Sequence, residues 1–234
     1  MERVLSFLRE LEQNNNKEWF DGHRKQYVEA KDVFNSFVGK LIEGIAAFDS
    51  SVKGLGVNDC TYRIFRDMRF SKDKLPYKTH FGAFVARGGK KSGYSGYYFH
   101  IGTGSGDAYP CNHLLASGNY FTEPRVLKIL REDIELGGGD FDDIIRNQVD
   151  KRMILDREPA LKKVPAGFPS DSPYAEYLKL KNFCLSCEFD DALLLSPDMP
   201  ETVLEIFRST KPFIDYVNRA IEFSREETAS GLDF

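Results

Sequence analysis

The sequence predicts an α+β fold, a central antiparallel sheet with helices from both the N- and C-terminal segments packed on it. Three observations predict it. Apolar residues recur at helical spacing near both ends of the chain. The middle is rich in β-formers cut into short runs by glycine turns. Strands and helices do not alternate, as they would in a parallel βαβ sheet.

The elements follow in order. Residues 2–13 carry Val4, Leu5, Leu8 and Leu11 on one helical face. Asn14, Asn15 and Asn16 stop that helix and offer a cap to the next. Residues 17–48 read as a long helical stretch striped by Phe34, Phe37, Val38, Leu41, Ile45 and Phe48, with Gly22 marking a break near its start. Residues 49–59 read as loop, 60–65 as strand, and 66–79, charged and holding Pro76, as mostly loop. Strands are expected at 81–86, 94–101 and 112–117, joined by glycine-rich turns short enough for an antiparallel meander. Residues 123–136 form an amphipathic helix that Gly137, Gly138 and Gly139 should end, with a short helix at 141–149 beyond it. The proline-rich 158–173 reads as irregular, 174–181 as a helical turn, and 183–189 as a strand returning to the sheet. Pro200 and Pro212 open a final helical pair, 200–210 and 212–225, with a frayed tail after 228. The expected organisation is a single domain over 1–234, helical in 1–48, strand-rich in 59–120 and mixed helical in 121–228.

Composition narrows the function classes. A chain of 234 residues with 41 % hydrophobic and 29 % charged residues has ordinary globular content. The net charge of -4 argues against non-specific nucleic-acid binding, which Lys and Arg drive by counterion release. No apolar run approaches a membrane span, and the first residues lack an apolar stretch with a small-residue cleavage site, so a cytoplasmic location is expected. Cys60, Cys111, Cys184 and Cys187 are too few for a disulfide framework and read as reduced thiols.

The segment 62–80 is where chemistry concentrates. Arg63, Arg66, Arg69, Lys72, Lys74 and Lys78 face only two carboxylates within it, Asp67 and Asp73. Packed cations are costly unless neutralised, so other acidic groups complete the set or the segment awaits an anion. Arginine grips phosphate or carboxylate with a planar fork and lysine adds point charge. The six cations are therefore candidate ligand-binding residues. Asp67, Asp73, Tyr77 and His80 are the candidates for orientation or proton transfer, His80 because a nearby positive field would lower its pKa and keep it neutral, which suits a general base. The alternative is a salt-bridge network that staples a loop to the sheet.

Arg63, Arg66, Asp67, Arg69 and Phe70, followed by Asp73, Lys74 and Tyr77, spell Arg-x-x-Arg-Asp-x-Arg-Phe and then Asp-Lys-x-x-Tyr. This resembles the signature of a microbial family known as a domain of unknown function, family 2461. Asn14, Asn15, Trp19, Phe20 and Tyr27 resemble its N-terminal motif. Pro165, Gly167, Phe168, Leu178, Lys179 and Lys181 resemble its C-terminal pieces. The resemblance implies one compact unit of about this length and supplies no activity, substrate or catalytic residue.

Other motifs are weaker. Cys184 and Cys187 have the spacing of half a zinc site, which Cys111 and His113 would have to complete, and two thiols on a strand is the simpler reading. Gly102, Gly104 and Gly106 lack the Gly-Lys-Ser/Thr ending of a P-loop and read as a hairpin turn. His23 and Tyr27 share a helical face, and Trp19 and Phe20 read as packing between helices. No cofactor and no resident metal is expected. Two functional classes fit. One is a pocket for a small phosphate- or carboxylate-bearing ligand, in a hydrolase or transferase. The other is a non-enzymatic module that docks an acidic protein or nucleic-acid partner through 63–78, by charge and aromatic stacking.

Overall fold

A computed structural model describes residues 1–66, 75–103 and 112–230. The α+β expectation holds: helices pack on a five-stranded antiparallel sheet ordered β1-β2-β3-β5-β4. The strands are β1 (His80–Ala86), β2 (Gly96–Gly102), β3 (His113–Asn119), β4 (Ile154–Leu155) and β5 (Phe183–Phe189). The described chain divides into two compact units. One comprises Met1–Ser92, Tyr97–Leu115 and Glu188–Glu205, the other Gly93–Gly96, Ala116–Cys187 and Ile206–Phe234.

In the first unit, α1 (Glu2–Gln13) buries Val4, Leu5, Phe7, Leu8 and Leu11, the stripe its spacing predicts plus Phe7. Asn16 caps α2 (Lys17–Gly22), its side chain accepting from the Trp19 N–H at 2.9 Å. The chain breaks at Gly22 and His23 before α3 (Arg24–Ala46). Helix α3 lies on one face of the sheet, with Phe34 5.3 Å from Phe81 and Phe37 4.8 Å from Phe99. Side chains alternate along a strand, so Phe81 and Phe99 face the helix while His80, Gly82, Tyr98 and His100 face the other way. A 3-10 turn (Ser50–Val52) and all of α4 (Val57–Cys60) but its last residue lie within the predicted loop. Asp49 is buried yet satisfied, accepting from the Ser51 N–H at 3.0 Å and the Tyr97 hydroxyl at 3.0 Å. The C-terminal part of this unit holds α7 (Asp191–Leu195), capped by Asp190, and most of α8 (Met199–Ser209).

In the second unit, α5 (Pro124–Asp143) runs through the three glycines that were expected to end it. Gly137 alone leaves helical geometry, at φ −145 and ψ 34, and kinks the helix. Gly138 stays helical and its bareness has a use: a Cβ there would sit 2.6 Å from the Tyr174 ring. The helix passes directly into a π-turn (Ile144–Gln148), so the separate short helix expected at 141–149 is its continuation. Phe141 is fully buried among Tyr177, Phe183, Phe213 and Tyr216. The helical turn at 174–181 is α6 (Ala175–Leu178), whose Leu178 carbonyl accepts from Arg131 at 2.8 Å. Strand β4, in a stretch to which the sequence reading assigned no element, pairs Ile154 with Ser186 and Leu155 with Leu185. Gly118 of β3 has φ +133, and a Cβ there would overlap the Phe183 carbonyl oxygen, so only glycine fits. Helix α9 (Lys211–Ser230) continues past the predicted fraying point.

Candidate functional site

The cationic segment forms an antiparallel edge against β1. Thr61 bridges Ala83 and Phe65 bridges Tyr77. The Tyr62 N–H donates to the Gly82 carbonyl (3.1 Å), the Lys78 N–H to Ile64 (2.8 Å) and the Arg66 N–H to Pro76 (3.0 Å). Three residues lie between Thr61 and Phe65 but five between Tyr77 and Ala83, so the second strand carries two extra residues where His80 enters β1. Such a bulge bends the strand and re-aims the side chains around it. Cys60, expected to begin a strand, instead closes α4.

Asn15 anchors this edge. Its side-chain amide donates to the Tyr77 carbonyl at 3.0 Å and accepts from the Tyr77 N–H at 3.1 Å, imitating a neighbouring strand. Phe20 stacks on the Tyr77 ring at 4.0 Å, with Phe65 5.8 Å from Phe20. Tyr77 is 4 % exposed. As a site candidate it is therefore seated in an aromatic stack, with Phe20 and Phe65 against its ring. Trp19 stacks on His23 at 4.1 Å and Phe20 lies 5.1 Å from Tyr27, which is the interhelical packing the sequence suggested.

Lys78 is the link in this segment: Arg63 and Arg66 act on it electrostatically, and Lys78 and Arg66 act on His80. Lys78 sits below its ordinary pKa because it is partly withdrawn from water, then because Arg63 and Arg66 repel its charge. Its ammonium lies 5.7 Å from the Tyr62 ring. His80 is pushed down to about 4, first by burial, then by Lys78 and Arg66. It is neutral at physiological pH, as expected, although burial contributes more than the positive field. Asp67, Arg69, Lys72, Asp73 and Lys74 lie outside the described residues, as does Cys111.

Sequence reading missed half of this neighbourhood. His80 stacks on His100 of β2, ring centroids 4.4 Å apart. Tyr98, two residues earlier on β2 and so on the same face, places its hydroxyl 2.9 Å from His100 Nδ1. Burial pushes the Tyr98 phenol well up and the His100 imidazole well down, so both stay uncharged. Gly82 makes room for this arrangement, since a Cβ there would lie 2.7 Å from the Tyr98 hydroxyl. The available signal was alternation: polar residues two apart on β2 opposite His80 and Gly82 two apart on β1.

A second buried histidine nearby has a different character. His113 Nε2 lies 2.9 Å from the Asp191 carboxylate, and Nδ1 accepts from the Gly102 N–H at 3.3 Å. Arg9 donates to the same Asp191 at 2.6 Å. The hydrogen bond from His113 is the main reason the Asp191 carboxyl lies below its usual range. Both nitrogens of His113 are satisfied, so it is a packed structural residue. In the second unit, burial pushes the Cys184 thiol up, with Asp156 adding to the shift, which makes a poor thiolate. Among the described residues no group of three or more His, Cys, Asp or Glu is placed to hold a metal ion. Among the described residues no helix is long and apolar enough to cross a membrane.

Comparison with curated proteins and with solved structures finds no match to either. A family model does match: the conserved hypothetical protein family DUF2461 covers residues 3–216, and the chain belongs to that family.

Proposed function

We propose that this protein binds a small phosphate- or carboxylate-bearing ligand at the edge beside β1, through Arg63, Arg66 and Lys78, with His80 next to it. One observation carries the reading: Lys78 is withdrawn from water and repelled by Arg63 and Arg66, and Lys78 and Arg66 in turn act on His80. Like charges brought together raise the free energy of the site, and an anion among them adds attractions that offset the repulsion. Arg69, Lys72 and Lys74 belong to the same segment by sequence and extend the set. In a hydrolase or transferase acting on such a ligand, neutral His80 would take a proton from the attacking group. Asp67 and Asp73 would orient cations or share that task.

A second reading, a docking module for an acidic partner, is favoured by exposed apolar groups on the same edge: Tyr62 is 42 %, Phe65 45 % and Leu75 42 % accessible. The test is thermal melting of the parent, Arg66→Ala and Lys78→Ala with inorganic phosphate, malonate and a short acidic peptide. A ligand held only by the folded state at a hundred times its Kd adds about 2.7 kcal/mol of stability. The small-anion reading predicts that phosphate or malonate raises the parent Tm by several degrees and raises those of the variants much less. Stabilisation by the acidic peptide alone selects the docking reading. If nothing shifts the parent while Arg66→Ala melts far lower, the arginines are structural and both readings fail.

A further inference from the structure

Two histidines of β2 and β3 are almost wholly buried, His100 at 0 % and His113 at 1 % exposure. A neutral imidazole offers one donor and one acceptor, and burial makes each need a partner. His113 has both, in Gly102 and Asp191. His100 has only one. Its Nδ1 meets the Tyr98 hydroxyl, and its Nε2 has no hydrogen-bond partner among the described residues. Leaving a buried nitrogen in that state costs free energy, and a ligand that supplies the missing partner removes the cost.

We infer that His100 Nε2–H is a neutral hydrogen-bond donor to the bound oxyanion, held in that tautomer by the Tyr98 hydroxyl. The inference rests on the anion-site reading above and adds a contact residue to it. Phosphate and carboxylate oxygens in their ionised forms only accept hydrogen bonds, so Nε2 must carry the ring's single proton. Nδ1 is then the acceptor, and Tyr98 must donate to it. Burial keeps the phenol protonated and the imidazole neutral, which this arrangement requires. Location agrees as well. The His100 ring stacks on His80, and Lys78 acts electrostatically on both rings. His100 is thus the binding residue and Tyr98 a positioning residue, and Gly82 leaves the space that lets Tyr98 reach the ring.

The test has two arms. In the first, nitrogen-15 NMR of the imidazoles in the parent protein reads the His100 tautomer directly. A proton on Nε2 is expected, and a proton on Nδ1 overturns the inference whatever binds. In the second arm, inorganic phosphate is titrated into the parent, Lys78→Ala, His100→Gln, His100→Asn and Tyr98→Phe. A glutamine amide nitrogen falls near the place of Nε2, an asparagine amide near that of Nδ1. His100→Gln should therefore bind phosphate within about three-fold of the parent and His100→Asn about ten-fold or more weakly, the loss of one hydrogen bond to a charged acceptor. Tyr98→Phe should give a mixture of tautomers at His100. Equal binding by His100→Gln and His100→Asn, with Lys78→Ala impaired, overturns the role of His100 and leaves the anion site standing. Failure of the parent to bind phosphate, with no shift of any histidine resonance, overturns both. Where the position-100 variants do not fold, the tautomer in the parent decides.

Discussion

His80 makes folding of the first unit depend on pH, and the size of the effect follows from its surroundings. Its ordinary value is 6.5 and in the folded chain it falls to about 4, through burial first and then Lys78 and Arg66. The unfolded chain therefore binds a proton that the folded chain refuses. Stability is fully present above about pH 6.5, erodes as the pH falls toward about 4, and suffers no further loss from this residue below that, where both states are protonated. At about 1.4 kcal/mol per pH unit the whole effect is about 3 kcal/mol, of which about 2.5 kcal/mol lies between about pH 7.5 and about pH 4.5. The assay is urea unfolding at a series of pH values, followed by the fluorescence of Trp19, the chain's one tryptophan. Trp19 stacks on His23, so midpoints rather than raw intensities are compared. The perturbation is His80→Gln, which does not titrate. His100 and His113 are also depressed and destabilise in acid in the same sense, so the variant keeps some pH dependence. Asp191, depressed by its His113 hydrogen bond, loses its contribution only as the pH drops below the ordinary carboxylate value of 3.8, outside this interval. The variant should lose about 2 to 3 kcal/mol less than the parent over the interval. Parallel stability curves for the two proteins would refute the reasoning, because they would mean that His80 is as free to protonate in the folded chain as in the unfolded one.

Two further outcomes follow from the geometry. Asn15→Ala removes both side-chain hydrogen bonds to the Tyr77 backbone and should cost about 1 to 3 kcal/mol in urea unfolding, with faster amide exchange at Tyr77; unchanged exchange would show that the edge stands without Asn15. Gly118→Ala sets a Cβ against the Phe183 carbonyl oxygen at φ +133 and should destabilise the second unit by more than about 3 kcal/mol, read by chemical denaturation; a near-neutral result would mean that β3 and β5 separate at little cost.

Legibility in the sequence tracked how local each cause was. Helix α1, the break at Gly22 and the β1-β2-β3 run were all readable because periodicity, an Asn cap and short turns act within a few residues. The glycine run at 137–139 misled for the opposite reason. Its composition signals a stop, yet Tyr174, distant in sequence, packs where a Gly138 side chain would stand and the helix continues. Strand β4 is two residues long and exists only through its pairing with β5, so no local pattern marks it.

The candidate site divides in the same way. Composition and spacing by themselves determined the α+β class, the helical ends around a strand-rich centre, and the charge imbalance of the segment that holds Arg63, Arg66, Arg69, Lys72, Lys74 and Lys78. Charge is a property of residues and survives without a structure. Only the tertiary structure decided that Lys78 lies close enough to act on a stacked His80–His100 pair, that the Tyr98 hydroxyl meets His100 Nδ1, and that Asn15 clips the edge from sixty-two residues away. Those pairings depend on strand register and on which face each residue takes, and register is set by long-range pairing and burial rather than by neighbours in the chain.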